Sequence, residues 1–158
     1  MDKFPRPQSP IRRCGSPFTN PELVCIDPGR VHEIWPHASA LVRLACRRTA
    51  LNAFEDIESD VLSGRSLLWL AWNGLSILAA ATTVLTSSEI GRVCVITACG
   101  GGKMELWFPL IDGIEAYARA EGCERVRIYG RKGWIRVLHG YRARHVILDK
   151  DLTSSVQA

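Results

Sequence analysis

Apolar and polar residues alternate with different periods along the chain, and the changes of period mark its elements. From Val31 onward Ile34, Ala38, Leu41, Val42, Ala45 and Cys46 recur every three or four positions, with Arg43, Arg47 and Arg48 off that stripe. Such spacing puts one apolar face on a helix, and Pro36 suits a place near its start. Phe54, Ile57, Val61 and Leu62 form a second, shorter stripe that predicts a helix over 54–62, with Ser63-Gly64 closing it as a C-cap. The period then shortens. Residues 67–72 read as a strand followed by Asn73-Gly74, a hairpin signal because both residues tolerate positive φ. The partner strand is expected from Leu75 to about Leu85 and a third from Arg92 to Thr97, with polar residues 86–89 between them. An antiparallel meander follows.

After the meander comes Cys99-Gly100-Gly101-Gly102-Lys103, read as a glycine-rich loop. Trp107, Leu110, Ile111, Ile114, Tyr117 and Ala118 then lie on one helical face. Pro109 is compatible only with the first turn, where its missing N–H would have no partner, so the helix is expected to begin around 105–108. Glu121-Gly122 ends it. Residues 125–129 alternate like a half-buried strand, 135–138 suggest a short helix, Gly140-Tyr141 a turn, and Val146-Ile147-Leu148 a last strand before a polar tail at 153–158. Residues 1–30 are rich in Pro, Arg and Ser and predict an extended arm with a short strand near 23–26. Such an arm orders on a partner, and residues 31–152 form the domain proper.

Composition narrows the class. A chain of 158 residues with 47% hydrophobic and 23% charged residues suits one globular domain, and a net charge of +4 does not by itself imply nucleic acid. Cys14, Cys25, Cys46, Cys94, Cys99 and Cys123 show no zinc-type spacing, so no metal is expected and the thiols read as small buried hydrophobes of a reducing compartment. The N-terminus lacks the apolar stretch of an export signal, and the longest apolar run is too short for a bilayer. The expected location is the cytoplasm, or a virion if the chain derives from a phage, and no membrane partner is expected.

The order of elements over residues 31–152 resembles the GCN5-related N-acetyltransferases (GNAT). The hairpin at Asn73-Gly74, the strand 92–97, Gly100-Gly101-Gly102, the helix ending at Gly122 and the pair Gly140-Tyr141 carry that resemblance. The run Gly130-Arg131-Lys132-Gly133-Trp134 is also similar to GNAT-like proteins of phages and prophages. The resemblance implies an α/β fold with a mixed central sheet and acetyl-CoA as co-substrate. It implies that backbone amides of Gly100, Gly101 and Gly102, with Lys103, hold the pyrophosphate. It further implies that the strand around Val95, Ile96 and Thr97 donates to the thioester carbonyl. The loop lacks the family's Arg or Gln, no Asn occurs between Gly122 and Tyr141, and the family's Tyr position is occupied by Arg136, Val137 and Leu138.

Other residues are candidates on chemical grounds. Glu55, Asp56 and Glu58 on the second helix carry carboxylates that would attract an amine, one of them serving as base, against the commoner reading of surface carboxylates. His139, beside Gly140-Tyr141, carries an imidazole suited to proton transfer, against the commoner structural reading of a lone His, and Tyr141 carries a phenolic hydroxyl. Cys99 is a nucleophile candidate without a His/Asp pattern. Trp69 and Trp72 have opposite parity on one strand, so both reach the core only through a bulge. Between Arg119 and Lys150 nine basic residues face three acids, interleaved with Tyr129, Trp134 and Tyr141. A solvated face is the first reading and a nucleic-acid surface the second. Three functions follow in order: an N-acyltransferase; a catalytically inactive GNAT-like phage protein that docks a partner through its arm or exposed tryptophans; and a nucleic-acid module.

Overall fold

The computed structural model describes residues 20–153, so most of the Pro/Arg-rich arm and most of the polar tail lie outside it. Five strands form one sheet in the order β1-β2-β3-β4-β5: β1 (Glu22–Cys25), β2 (Leu67–Trp72), β3 (Ile77–Ser88), β4 (Gly91–Gly101) and β5 (Arg125–Ile128). The first four pair antiparallel, and β5 returns parallel to β4. A parallel return needs a crossover, supplied by the short helix α3 (Met104–Trp107), a 3-10 turn at Phe108–Leu110 and α4 (Ile111–Ala120). Pro109 sits in that 3-10 turn, where no helical hydrogen bond is lost. The inner end of the arm contributes β1 to the sheet.

Helices cover both faces. The helices α1 (Val31–Thr49) and α2 (Phe54–Leu62) bury Trp35, Ala38, Val42, Phe54, Ile57 and Val61 against Leu68, Leu70, Ala80 and Ala98. On the opposite face Trp107, Ile114, Ala118 and Trp134 pack on Trp69, Ala81, Cys94, Ile96 and Cys99. Both stripes legible in the sequence therefore meet the sheet. Ala50 ends α1 in the left-handed conformation, φ 54°.

The hairpin differs from the expected two-residue turn. Only Gly74 takes positive φ (93°), while the Asn73 side-chain oxygen accepts from the amides of Leu75 and Ser76. The loop is wider, β3 starts at Ile77, and a register shift falls between Ala71 and Trp72. The extra residue, Leu78, belongs to β3, so β2 keeps its alternation: Trp69 is buried edge-on to Tyr117 and Trp72, on the other parity, is 38% exposed.

Three expectations are corrected. Gly100 and Gly101 belong to β4 instead of a loop. A Cβ on Gly100 would meet the Leu41 carbonyl of α1, and one on Gly101 would collide with Leu78 and Ala79 of β3. These glycines admit a helix and a neighbouring strand at close approach, a use of glycine the sequence does not distinguish from a ligand loop. The last strand is absent among the described residues: 146–148 pair with no strand, and Val146 and Leu148 are 80% and 88% exposed. The short helix expected at 135–138 is a 3-10 turn at Lys132–Arg136.

Candidate active site

The candidate site lies where the parallel ladder of β4 and β5 ends. Its last pair is Ile96 and Ile128, with one further bond from the Tyr129 amide to the Ile96 carbonyl (3.1 Å). At that point β4 carries one extra residue: Thr82 faces Ala98 but Thr83 faces Ile96, which leaves Thr97 as a bulge. The bulge inverts side-chain parity. Cys94 and Ile96 face the α4 side, Ala98 faces α1, and Cys99 returns to the α4 side. Without it Gly100 would not lie beneath α1.

Polar groups fix the bulge. The Thr97 and Thr82 hydroxyls are 2.7 Å apart, and the Thr97 hydroxyl also donates to the Thr82 carbonyl (3.3 Å). Asn52, in the loop between α1 and α2, donates its side-chain amide to the Thr97 carbonyl (3.3 Å). Thr82 is fully buried and Thr97 half-buried. Nothing in the residue pattern marks Asn52, and for Thr82 the one signal is a polar residue at an interior strand position.

Beyond the bulge β4 runs on to Gly101 while β5 ends at Ile128, and aromatic rings from the segments that follow the two strands meet. Phe108, after β4, meets Trp134, after β5, edge-on at 5.7 Å between ring centroids, and Trp134 lies against the bare Cα of Gly130. The Trp134 indole N–H is buried without a partner among the described residues. Trp107 stacks on Phe108 and donates to the Gly102 carbonyl (2.9 Å). A cavity of about 20 Å³ beside Trp107 is lined by apolar groups such as Leu23, Trp69 and Cys99. Gly102 and Lys103 remain outside this packing: a Cβ at Gly102 would meet nothing within 4 Å, and Lys103 is exposed at φ 50°.

The remaining candidates are scattered. Val95 and Ile96 are buried and offer backbone only. Glu58 accepts a 2.7 Å bond from the Trp35 indole and so ties α2 to α1, while Glu55 and His139 are exposed. Tyr141 donates to Glu115 of α4 (2.8 Å); burial and that bond push its phenol far above the ordinary range. Burial also pushes the Cys99 thiol up to about 12, which leaves almost no thiolate at neutral pH and corrects its reading as a nucleophile. Among the described residues no group of three or more side chains could hold a metal ion, and no helix is long and apolar enough to cross a membrane.

The basic C-terminal third folds into one feature. Arg48 of α1 joins Arg119, Arg125, Arg127, Arg131, Lys132, Arg142 and Arg144 in lining a cleft of about 1130 Å³ between β5 and the segment that follows Tyr141. Of these, only Arg119 has a carboxylate within ion-pair distance among the described residues.

A five-stranded mixed sheet whose parallel ladder ends beside a bulge, with helices on both faces, is the GNAT fold. Solved structures agree. One described as a probable acetyltransferase has a TM-score of 0.60 at 13% identity, covering 85% of this chain and 99% of the other. An aminoglycoside acetyltransferase from an uncultured soil metagenomic sample gives 0.63 at 9% identity, covering 85% and 97%. A predicted acetyltransferase with acetyl-CoA from Clostridium acetobutylicum gives 0.54 at 10% identity, covering 82% and 96%. No protein-family model and no curated protein matches the chain.

Proposed function

We propose that the chain is an acyltransferase that moves an acetyl group from acetyl-CoA to an amine. The carrying observation is the end of the β4–β5 ladder beside the Thr97 bulge. A bulged strand leaving its parallel neighbour exposes main-chain groups between two strand ends, which suits an acyl thioester lying along β4. The neighbouring folds support the reading, one of them described with acetyl-CoA.

The chain's residues fit this co-substrate unevenly. Gly102 has open space above its Cα and Lys103 carries a free positive charge, so this end of β4 would hold the pyrophosphate. Gly100 and Gly101 would contribute main chain only, because α1 and β3 occupy their other sides. The backbone at Val95, Ile96 and Thr97 would polarise the thioester carbonyl. The Phe108 and Trp134 rings would flank the thiol arm and keep water from it. In the transfer the amine nitrogen attacks the thioester carbon, the C–N bond forms, the C–S bond breaks and the thiolate takes a proton. Glu55, Glu58, His139 and Tyr141 remain the candidates for moving protons, the Tyr141 hydroxyl being already engaged by Glu115.

Calorimetry with acetyl-CoA on the wild type, Gly102→Asp and Lys103→Glu tests this. Gly102 tolerates a side chain sterically, so loss of affinity reports charge at the phosphate site and not misfolding. Both variants should weaken binding about tenfold or more, close to 1.4 kcal/mol, with unchanged melting temperatures. Neither heat nor a thermal shift at millimolar acetyl-CoA would remove the reading.

A further inference from the structure

The positive charge spread along residues 119–150 reads in sequence as a solvated face, but the fold gathers it around the edge strand β5. Val126 and Ile128 of β5 pack toward α4, so Arg125 and Arg127 lie on the α1 side. Arg48, in the last turn of α1, lines the same cleft. Arg125 and Arg127 are half-buried. Neither has a carboxylate within ion-pair distance among the described residues, whereas Arg30, Arg65 and Arg119 do. A guanidinium drawn partly out of water without a counter-charge is costly, and like charges converging on one cleft add to that cost. Glu115, Glu124 and Asp149 are the carboxylates of the cleft, against eight basic side chains, and Glu115 is already taken by Tyr141. The missing negative charge has to come from a ligand.

Size and chemistry narrow that ligand. The cleft measures about 1130 Å³, beyond the small-molecule range of about 300–1,000 Å³, and so suits a stretch of polymer. Seven of its eight basic groups are arginines, which grip phosphates with two hydrogen bonds and stack on flat rings. Arg125 and Arg127 stand about 7 Å apart along the strand, close to the step between successive phosphates of an extended chain. Tyr129, half-buried in the same cleft, offers a ring to a base. An acidic peptide would use the arginines and leave that ring idle.

The cleft also stands apart from the phosphate end of the acetyl-CoA site. Arg125 and Arg127 pair with Val93 and Val95, nine and seven residues before Gly102, which is about 20–30 Å along β4. We propose that the cleft binds single-stranded nucleic acid, with Arg48, Arg125 and Arg127 on its phosphates and Tyr129 stacked on a base. The assignment does not rest on acyl transfer.

Fluorescence anisotropy of the full chain with a labelled oligothymidylate, over a range of salt, tests it. Wild type should bind, and its logarithmic salt dependence should steepen by about 0.7 for each phosphate held. Arg125→Gln/Arg127→Gln should weaken binding about tenfold or more and lower the slope by about 1.4, and Arg48→Gln should lower it by about 0.7. None of the three arginines has an ion-pair partner among the described residues, so these variants should melt as wild type does. Tyr129→Leu should weaken binding about fivefold or more at an unchanged slope. Arg65, paired with Asp60 outside the cleft, serves as control: Arg65→Gln removes the same charge and should leave binding as it was. Millimolar acetyl-CoA and polyglutamate should not displace the strand, and a duplex of equal length should compete about tenfold more weakly than the unlabelled strand. Four results overturn the proposal: no binding at low salt; an equal loss in Arg65→Gln, which would make the attraction diffuse; displacement by acetyl-CoA, which would give the arginines to the co-substrate; or equal competition by polyglutamate or the duplex, which would give the cleft to another polymer. Failure of acetyl-CoA to bind at Gly102 is a separate observation and leaves each of these readouts in place.

Discussion

The carbonyl oxygen of Leu41 on α1 lies 2.6 Å from the point where a Cβ on Gly100 would stand. The helix therefore rests directly on the backbone of β4, and the glycine there holds an interlayer distance. Gly100→Ala should lower stability by about 1–3 kcal/mol, the usual penalty of overpacking. Gly102→Ala, with open space above it, should change stability little. Urea unfolding of the two variants separates these outcomes; equal effects would contradict the packing described.

Thr97→Val removes one hydroxyl of the Thr82–Thr97 pair and leaves Thr82, fully buried, without that partner. An unsatisfied buried hydroxyl costs about 1–3 kcal/mol, whereas replacing both partners is nearly neutral. Thr82→Val/Thr97→Val should therefore be more stable than Thr97→Val alone. A double-mutant cycle by chemical denaturation would show simple additivity if the pair were not coupled.

Glu58 holds the Trp35 indole, and Trp35 is 5% exposed. Glu58→Ala should lose about 1–3 kcal/mol of stability. Glu58→Gln retains an acceptor and should keep both stability and any acyl transfer. Loss of transfer in Glu58→Gln with unchanged stability would instead assign Glu58 the role of base.

Tyr141 gives stability an alkaline limit. Its phenol is raised from 10.0, first by burial and then by the bond to Glu115. The unfolded chain loses this proton near pH about 10 while the folded chain keeps it, so stability is full below that pH and falls above it. Tyr117, Cys94 and Cys99, also raised, add to the same slope. Tyr141→Phe should flatten it in part, read as melting temperature between neutral and strongly alkaline pH. An unaltered slope would mean that Tyr141 titrates normally.

The cysteines should divide by position. Cys94 and Cys99, pushed by burial to about 11 and about 12, should resist a thiol reagent at neutral pH until the protein unfolds, while exposed Cys25 reacts in the native state. Mass spectrometry of the labelled sites checks this; rapid native labelling of Cys99 would contradict its burial.

By itself the sequence determined the elements whose period is long and regular. The stripe from Ile34 to Cys46 became α1, the stripe from Phe54 to Leu62 became α2, and the alternation at 125–128 became β5, because one-sided burial writes a period into the residues. The order of those elements was enough to indicate the GNAT fold. Tertiary structure alone decided what the three glycines do. Gly100, Gly101 and Gly102 are identical in the sequence, yet one lies under a helix, one against a strand and one in the open, since the use of a missing Cβ depends on what the fold brings near it. The bulge at Thr97, its support from Asn52, and the meeting of the Phe108 and Trp134 rings are likewise contacts over long sequence separations. Val146 to Leu148 shows the reverse case: strand-forming residues become a strand only when they pair with an edge, and among the described residues these pair with none.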